Sequence, residues 1–299
     1  MPSGILLLDK PRGLSSNAAL QRVRRLFDGA KAGHAGSLDP LATGMLPICI
    51  GEATKIAGDI VSGEKCYRFT VALGERTATG DAEGEVTESA AVPPLHRATV
   101  EAALAGFLGP QSQVPPMYSA LKQQGAPLYR LARAGQVVER AARAIEIHAL
   151  ELLGLAAESL ELQTRCSKGT YVRVLAEDIA VRLGTVGFVS ALRRLSVEPF
   201  EREMMHTLDS LEAQHERGER LRLLPVDLPL EHLARVALPE ALVARLLKGQ
   251  NVAAGTVIPA VPAGSSARAR LYDLSGRFLG LGIIDAAGNV RPKRLLNPG

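Results

Sequence analysis

The chain has 299 residues, 46% of them apolar, no tryptophan and a formal net charge of +4, with an isoelectric point near 9.1. That length and apolar content support an aliphatic core in one large domain or two unequal ones, and the mildly basic balance permits a polyanionic partner without requiring one. Cys49, Cys66 and Cys166 lie far apart with no Cys-x-x-Cys pair, which excludes a zinc ribbon or dithiol motif and fits buried free thiols. Without a charged-then-apolar leader or a run of about 18 apolar residues, the expectation is a soluble, cytoplasmic protein.

In chain order, Ile5–Leu8 is a short apolar run ending in Asp9-Lys10-Pro11 and predicts a strand buried on both faces. Ser16 reads as the N-cap of a helix with Leu20, Val23, Leu26 and Phe27 on one face and Arg22, Arg24 and Arg25 between them. Tyr67, Phe69, Val71 and Leu73 alternate with Arg68, Thr70 and Ala72, the pattern of a half-buried strand. The loop Thr79-Gly80-Asp81-Ala82-Glu83-Gly84 has too few ligands for a calcium site.

Val100, Ala103, Leu104, Phe107 and Leu108 predict a second helix, stopped by Gly109-Pro110. Residues 111–144 carry Lys122, Arg130, Arg133, Arg140 and Arg143 against the single acid Glu139, with a short helical pattern near Leu128 and Leu131. So long a basic insertion is either a functional arm or a solvated surface loop. A strand over Leu160–Cys166 then turns at Lys168-Gly169 into a helix with Leu175, Ile179 and Leu183 on one face and Gly184 after it.

Interleaved helix and strand signals without repeated βαβ units predict an α+β fold with a mixed, mostly antiparallel sheet. Leu224–Pro229 reads as a linker. The short strand-like runs beyond it, at 257–258, 269–272 and 278–284, are separated by glycine turns and predict a small β-barrel.

The most informative stretch is Gly33-His34-Ala35-Gly36-Ser37-Leu38-Asp39-Pro40-Leu41-Ala42-Thr43-Gly44. Three glycines, a histidine and a proline surround one carboxylate, and the apolar run Met45–Gly51 follows. Aspartate is depleted from interiors unless paired. Asp39 is therefore either a turn cap or a chemical group held on a rigid loop. The run GHAGSLDPLATGMLPICIGEATK, residues 33–55, resembles the signature of the TruB family of pseudouridine synthases. Further matches are Leu7-Leu8-Asp9-Lys10-Pro11, Lys65-Cys66-Tyr67-Arg68, Cys166–Arg173 and Leu192-Arg193-Arg194-Leu195. The resemblance covers residues 4 to about 230 well and the remainder more weakly.

The resemblance implies a pseudouridine synthase catalytic domain over residues 1–230, with a basic thumb at 111–144, and a PUA-like RNA-binding domain over 231–299. It implies isomerisation of the T-loop uridine at position 55 of tRNA, by a monomer with no cofactor and no obligatory protein or guide-RNA partner. Asp39 is then the nucleophile or base and Arg173 its cationic partner, able to hold a carboxylate with its planar fork. Tyr67 would stack on a flipped uridine, Tyr171 and Leu192 would contact the base, His34 would wedge the T-loop open, and Lys10 would stand near the site. Read without the resemblance, Tyr67 and Leu192 are equally core residues, His34 a turn histidine, Lys10 a solvated lysine and Arg173 an ordinary helix-terminal arginine. Two other functions remain open on sequence: an RNA-remodelling module without catalysis, and a guide-dependent isomerase subunit.

Overall fold

The computed structural model describes residues 2–119, 121–123, 125–200, 203–254, 256–258 and 265–297. Among them a nine-stranded sheet runs in the order His206–Thr207, Gly4–Lys10, Thr43–Ile50, Gly187–Val197, Lys65–Leu73, Ser159–Cys166, Arg143–Ala156, Gly109–Gln113, with Ala32–His34 paired beside Thr43–Ile50. Two junctions in this sheet are parallel, His206–Thr207 on Gly4–Lys10 and Gly187–Val197 on Thr43–Ile50. The fold is α+β with the mixed, mostly antiparallel sheet that the sequence pattern predicts.

Helices Ser16–Arg25, Arg97–Ala105 and Val172–Arg182 bury Leu20, Val23, Val100, Leu104, Leu175 and Ile179 in one core cluster with Leu46, Ile48, Phe69, Val71, Leu160 and Leu162 of the sheet. Each such side chain contributes about 1.5–3 kcal/mol on burial, so this layer holds the helices in place. The alternate residues Ile5, Leu7, Met45, Cys49 and Val197 form a second cluster on the opposite face, shared with Leu230 and Leu281. None of the three cysteines is in a disulfide. Burial pushes the Cys49 thiol up to about 12 and is the largest cause of the rise of Cys166 to about 11, so neither is a thiolate at neutral pH.

Three local readings change. The cap of the first helix is Ser15, whose Oγ accepts from the Ala18 N–H; Ser16 is already helical. Ser16 Oγ instead accepts from Leu38 N at 2.7 Å and donates to Leu38 O at 2.8 Å, tying the helix to the Asp39 loop. The helix Arg97–Ala105 stops at Gly106, before Phe107 and Leu108. Gly109-Pro110 then begins an edge strand, where a missing proline N–H costs little. That strand pairs Gln111, Ser112 and Gln113 with Ile145, Ala144 and Arg143, so the basic segment outside the sheet spans 114–142. Within it the helix Leu128–Arg133 leaves Arg130 and Arg133 exposed, whereas the Lys122 side chain lies outside the described residues.

The linker is not free. Ile5 N donates to Leu224 O at 2.9 Å, Leu224 N returns a bond to Ile5 O at 2.8 Å, and the Tyr272 hydroxyl donates to the Asp227 carboxylate. Beyond it a six-stranded sheet forms a PUA-like half-barrel, with Ala234–Leu238 parallel to Ala267–Asp273. The helix Glu240–Leu247 places Val243 and Leu246 in its core. Neither that strand nor that helix is apparent in the sequence pattern, since Ala234, Val236 and Leu238 alternate over only five residues beside the linker.

Candidate active site

The strand Thr43–Ile50 divides one of its edges between two partners. Ala32–His34 pairs with Ile48–Ile50, and Arg193 and Arg194 of Gly187–Val197 pair with Thr43 and Gly44. The loop 35–42 spans the seam between them. Gly44 has φ +97°, and a Cβ there would lie 2.1 Å from the Arg194 carbonyl oxygen, so only glycine admits the second partner. The loop is held at both ends, by Ala35 N donating to Pro47 O and by Ala42 N donating to Asp39 O.

A cavity of about 400 Å³ opens over this loop. It is lined by Asp39, Arg173, His34, Tyr67, Tyr171 and Leu192, six of the seven residues singled out from the sequence. Lys10 stands apart. It is fully buried, and its Nζ donates to the carbonyls of Pro11, Leu14 and Pro40, so its charge lies behind the Asp39 loop rather than in the cavity. Burial lowers its pKa to about 8, against the pull of Asp39 and Glu83.

Arg173 Nε lies 3.1 Å from Asp39 Oδ2. The fork does not close on Asp39 alone: Nη1 donates to Thr79 O at 2.7 Å and Nη2 to Tyr118 O at 2.6 Å. Nη1 also lies 3.5 Å from Asp81 Oδ2. Arg173 is the second residue of its helix, where the helix dipole disfavours a cation; two carboxylates compensate it. The Asp39 side chain keeps 39% of its surface exposed while that of Arg173 keeps 6%, so the carboxylate is the part open to the cavity. Crowding by protein pushes the Asp39 carboxyl above its usual range; Arg173 opposes the rise, Asp81 adds to it and Lys10 opposes it.

Tyr67 is 9% exposed and belongs to the core cluster as well as the cavity wall. Burial raises its phenol pKa, opposed by the Arg194 charge. Tyr171 is the N-cap of the Val172–Arg182 helix. Its N–H donates to Gln113 Oε1 at 2.7 Å and its carbonyl accepts from Gln113 Nε2 at 3.1 Å, which fixes this cap to the edge strand. His34 ends its strand with Nδ1 buried and without a hydrogen-bond partner among the described residues. Burial, then the Arg194 charge, lower its pKa, so the ring is neutral at neutral pH.

Sequence reasoning missed Asp81, Lys65 and Arg194. Asp81 is 3% exposed, and its Oδ1 accepts from Thr79 Oγ1 at 2.6 Å and from Glu83 N at 3.1 Å. The signal was available: a threonine two residues before an aspartate in a glycine turn is a local side-chain pairing motif. Lys65 and Arg194 both line the cavity, and both are buried. Among the described residues no cluster of histidine, cysteine and acidic side chains could hold a metal ion, and no helix is long and apolar enough to cross a membrane.

Profiles of this family match nearly end to end: the TruB pseudouridylate synthase N-terminal domain over residues 24–172, the tRNA pseudouridylate synthase B C-terminal domain over 173–234, and the pseudouridine synthase II TruB C-terminal region over 234–296. The chain belongs to the TruB family. Its relatives include proteins named tRNA pseudouridine synthase B from Chromohalobacter salexigens, 52% identical over 98% of this chain and 94% of the relative, and from Aromatoleum aromaticum, 49% identical over 98% and 92%. The TruB fold also superposes on a Cbf5–Nop10–Gar1 complex with TM-score 0.73 and 21% identity, over 99% of this chain and 85% of that one. A structure of an H/ACA ribonucleoprotein bound to a substrate RNA containing 2′-deoxyuridine matches with TM-score 0.72 and 20% identity, over 99% and 85%. The chain is a pseudouridine synthase, an isomerase.

Proposed function

We propose that this enzyme converts the T-loop uridine at position 55 of tRNA into pseudouridine, acting as a cytoplasmic monomer without a guide RNA. Several relatives of about half identity carry the name tRNA pseudouridine synthase B. The observation that carries the reading is the Asp39–Arg173 pair at 3.1 Å, open to a cavity walled by two tyrosines and a leucine.

The reaction breaks the C1′–N1 bond, turns the base and joins C1′ to C5, which gives up its proton while N1 gains one. It is redox-neutral, so it demands no electron-carrying cofactor. Asp39 can attack C1′, add to C6 of the uracil, or take the C2′ proton; each route needs the ionised carboxylate. Arg173 favours that ionised form and, anchored to two carbonyls, fixes its aim. The uridine is stacked in RNA and must be extruded to reach the cavity. Tyr67 would receive it, with stacking worth about 1–3 kcal/mol. Tyr171 and Leu192 would bound the base, and neutral His34 at the rim would fill the vacated stack. Lys10 would act from behind the loop, through its charge on Asp39. The division of labour runs along the chain: residues 1–230 hold the chemistry, the basic segment and the start of the strand after it clasp the T-arm through Arg130, Arg133 and Arg143, and residues 231–299 grip the RNA backbone.

The test is incubation with Asp39→Asn beside the parent on unmodified tRNA. The parent isomerises, and the variant binds within severalfold but gives no product. Turnover by the variant would overturn the assignment of Asp39.

A further inference from the structure

Two arginines line the same cavity with opposite surroundings. Arg173 lies between the carboxylates of Asp39 and Asp81, so its wall carries two acids for one guanidinium. Arg194 is 1% exposed. Its Nε donates to Met45 O at 2.7 Å, its Nη2 to Gly36 O at 3.0 Å and its Nη1 to Ser37 O at 3.5 Å. Among the described residues no carboxylate lies within ion-pair distance of it, and the same holds for Lys65. The Lys65 ammonium donates to the carbonyls of Val61 and Gly63. Burial is the largest cause of the lowered pKa of His34 and of Lys65, and the Arg194 charge is the next for both. The charges are therefore unevenly matched: Asp39 and Asp81 meet Arg173 and, behind the loop, Lys10, whereas Arg194 and Lys65 meet no carboxylate within ion-pair distance among the described residues.

A buried guanidinium bonded only to uncharged groups, here three carbonyls and the Tyr67 phenol, is costly unless a negative charge meets it during function. The reaction proposed above makes one. When C1′–N1 breaks heterolytically, its electron pair goes to N1 of the uracil, and C1′ is satisfied by a bond to Asp39 or by loss of the C2′ proton to Asp39. When Asp39 adds to C6 instead, the pair moves onto the uracil carbonyl as an enolate. Negative charge builds on the uracil in every route, and the base lies against Tyr67, whose strand pairs with Arg194 in register. We propose that Arg194, with Lys65 beside it, stabilises the negative charge that the uracil takes up as its bond to C1′ is broken. Arg173 cannot do this, because its charge is already matched by two carboxylates. A preorganised charge aimed where charge develops, in a site shielded from water, acts at the transition state rather than on binding.

This inference rests on the uridine-isomerase reading, and the experiment separates the two. Single-turnover rates are measured for the parent, Arg194→Gln, Arg194→Lys and Lys65→Met on tRNA carrying either uridine or 5-fluorouridine at the target, by nuclease digestion and nucleoside chromatography. Fluorine withdraws electrons and makes the uracil anion intrinsically more stable. Arg194→Gln is expected to slow the uridine reaction by about 100-fold or more, with tRNA affinity within about threefold and a much smaller loss on 5-fluorouridine. Arg194→Lys restores most of the rate. Equal losses on both bases would overturn the inference and leave Arg194 as a strap for the loop. Should Arg194→Gln fail to fold, Lys65→Met carries the same comparison, and its loss must likewise shrink on 5-fluorouridine or the inference falls. A parent enzyme that leaves tRNA uridine unchanged would remove the isomerase reading, and this inference with it.

Discussion

Arg173 and Arg194 are both buried arginines on one cavity, yet the first is matched by carboxylates and the second only by uncharged groups. The difference separates the roles proposed for them: a guanidinium between two acids can fix geometry and hold a carboxylate ready, whereas one among uncharged groups keeps its charge for an anion that enters. Neither residue type nor burial distinguishes them, only the partners do.

Five tests, by substitution or titration, probe that contrast and its surroundings. The largest effect belongs to Asp39→Asn, which removes the carboxylate proposed to react and should lower turnover on the order of 10⁴-fold or more, as loss of a nucleophile does. Arg173→Lys keeps a charge but loses the fork that reaches Asp39, Thr79, Tyr118 and Asp81 at once. A fall in kcat on the order of 10²-fold with little change in tRNA affinity is expected; a fall in affinity alone would mean that Arg173 only grips RNA.

The pH dependence tests Asp39 directly. Burial raises its carboxyl above the unfolded value of about 3.9, so the protonated, inactive form persists to higher pH than for an ordinary aspartate. The acid limb of kcat/KM should lie above the usual carboxylate range. The linkage has the opposite sign for stability: a raised folded pKa contributes stability below the unfolded pKa, and that contribution is lost as pH rises through the folded pKa. The Tm of Asp39→Asn should therefore gain on that of the parent as pH rises through this window. A Tm difference that does not change with pH would contradict the raised pKa.

Ser16→Ala removes both bonds to Leu38 and leaves two buried backbone groups unpaired. A loss of about 1–3 kcal/mol is expected in denaturant unfolding. The smallest effects lie farthest from the cavity. Each of Arg130→Ala and Arg133→Ala should weaken tRNA binding and reduce the slope of log affinity on log salt by about one unit, leaving single-turnover chemistry at saturation unchanged.

Much of the cavity's lining was legible in the sequence because it sits in short local patterns. The glycine-shaped loop around Asp39, the alternation ending at Tyr67 and the turn leading into Arg173 each reveal themselves within a dozen residues. What escaped depends on partners distant along the chain. Arg194 reads as one of two ordinary arginines on a strand until the fold places it under Gly36 and Met45, more than 140 residues earlier. Asp81 reads as a loop acid until the helix carrying Arg173 packs against it. Ser16 resembles a cap because its neighbour Ser15 can cap equally well, and only the Leu38 backbone decides between them. In the C-terminal half-barrel the first strand is too short for its alternation to stand out from the preceding linker.

The central claim is that this chain isomerises one T-loop uridine unaided. The most direct measurement incubates the purified protein with unmodified tRNA transcript and maps pseudouridine by carbodiimide block and primer extension. The account predicts one stop, at the T-loop uridine, with the parent and none with Asp39→Asn. No stop with tRNA binding intact, or activity only when a second RNA is supplied, would contradict it.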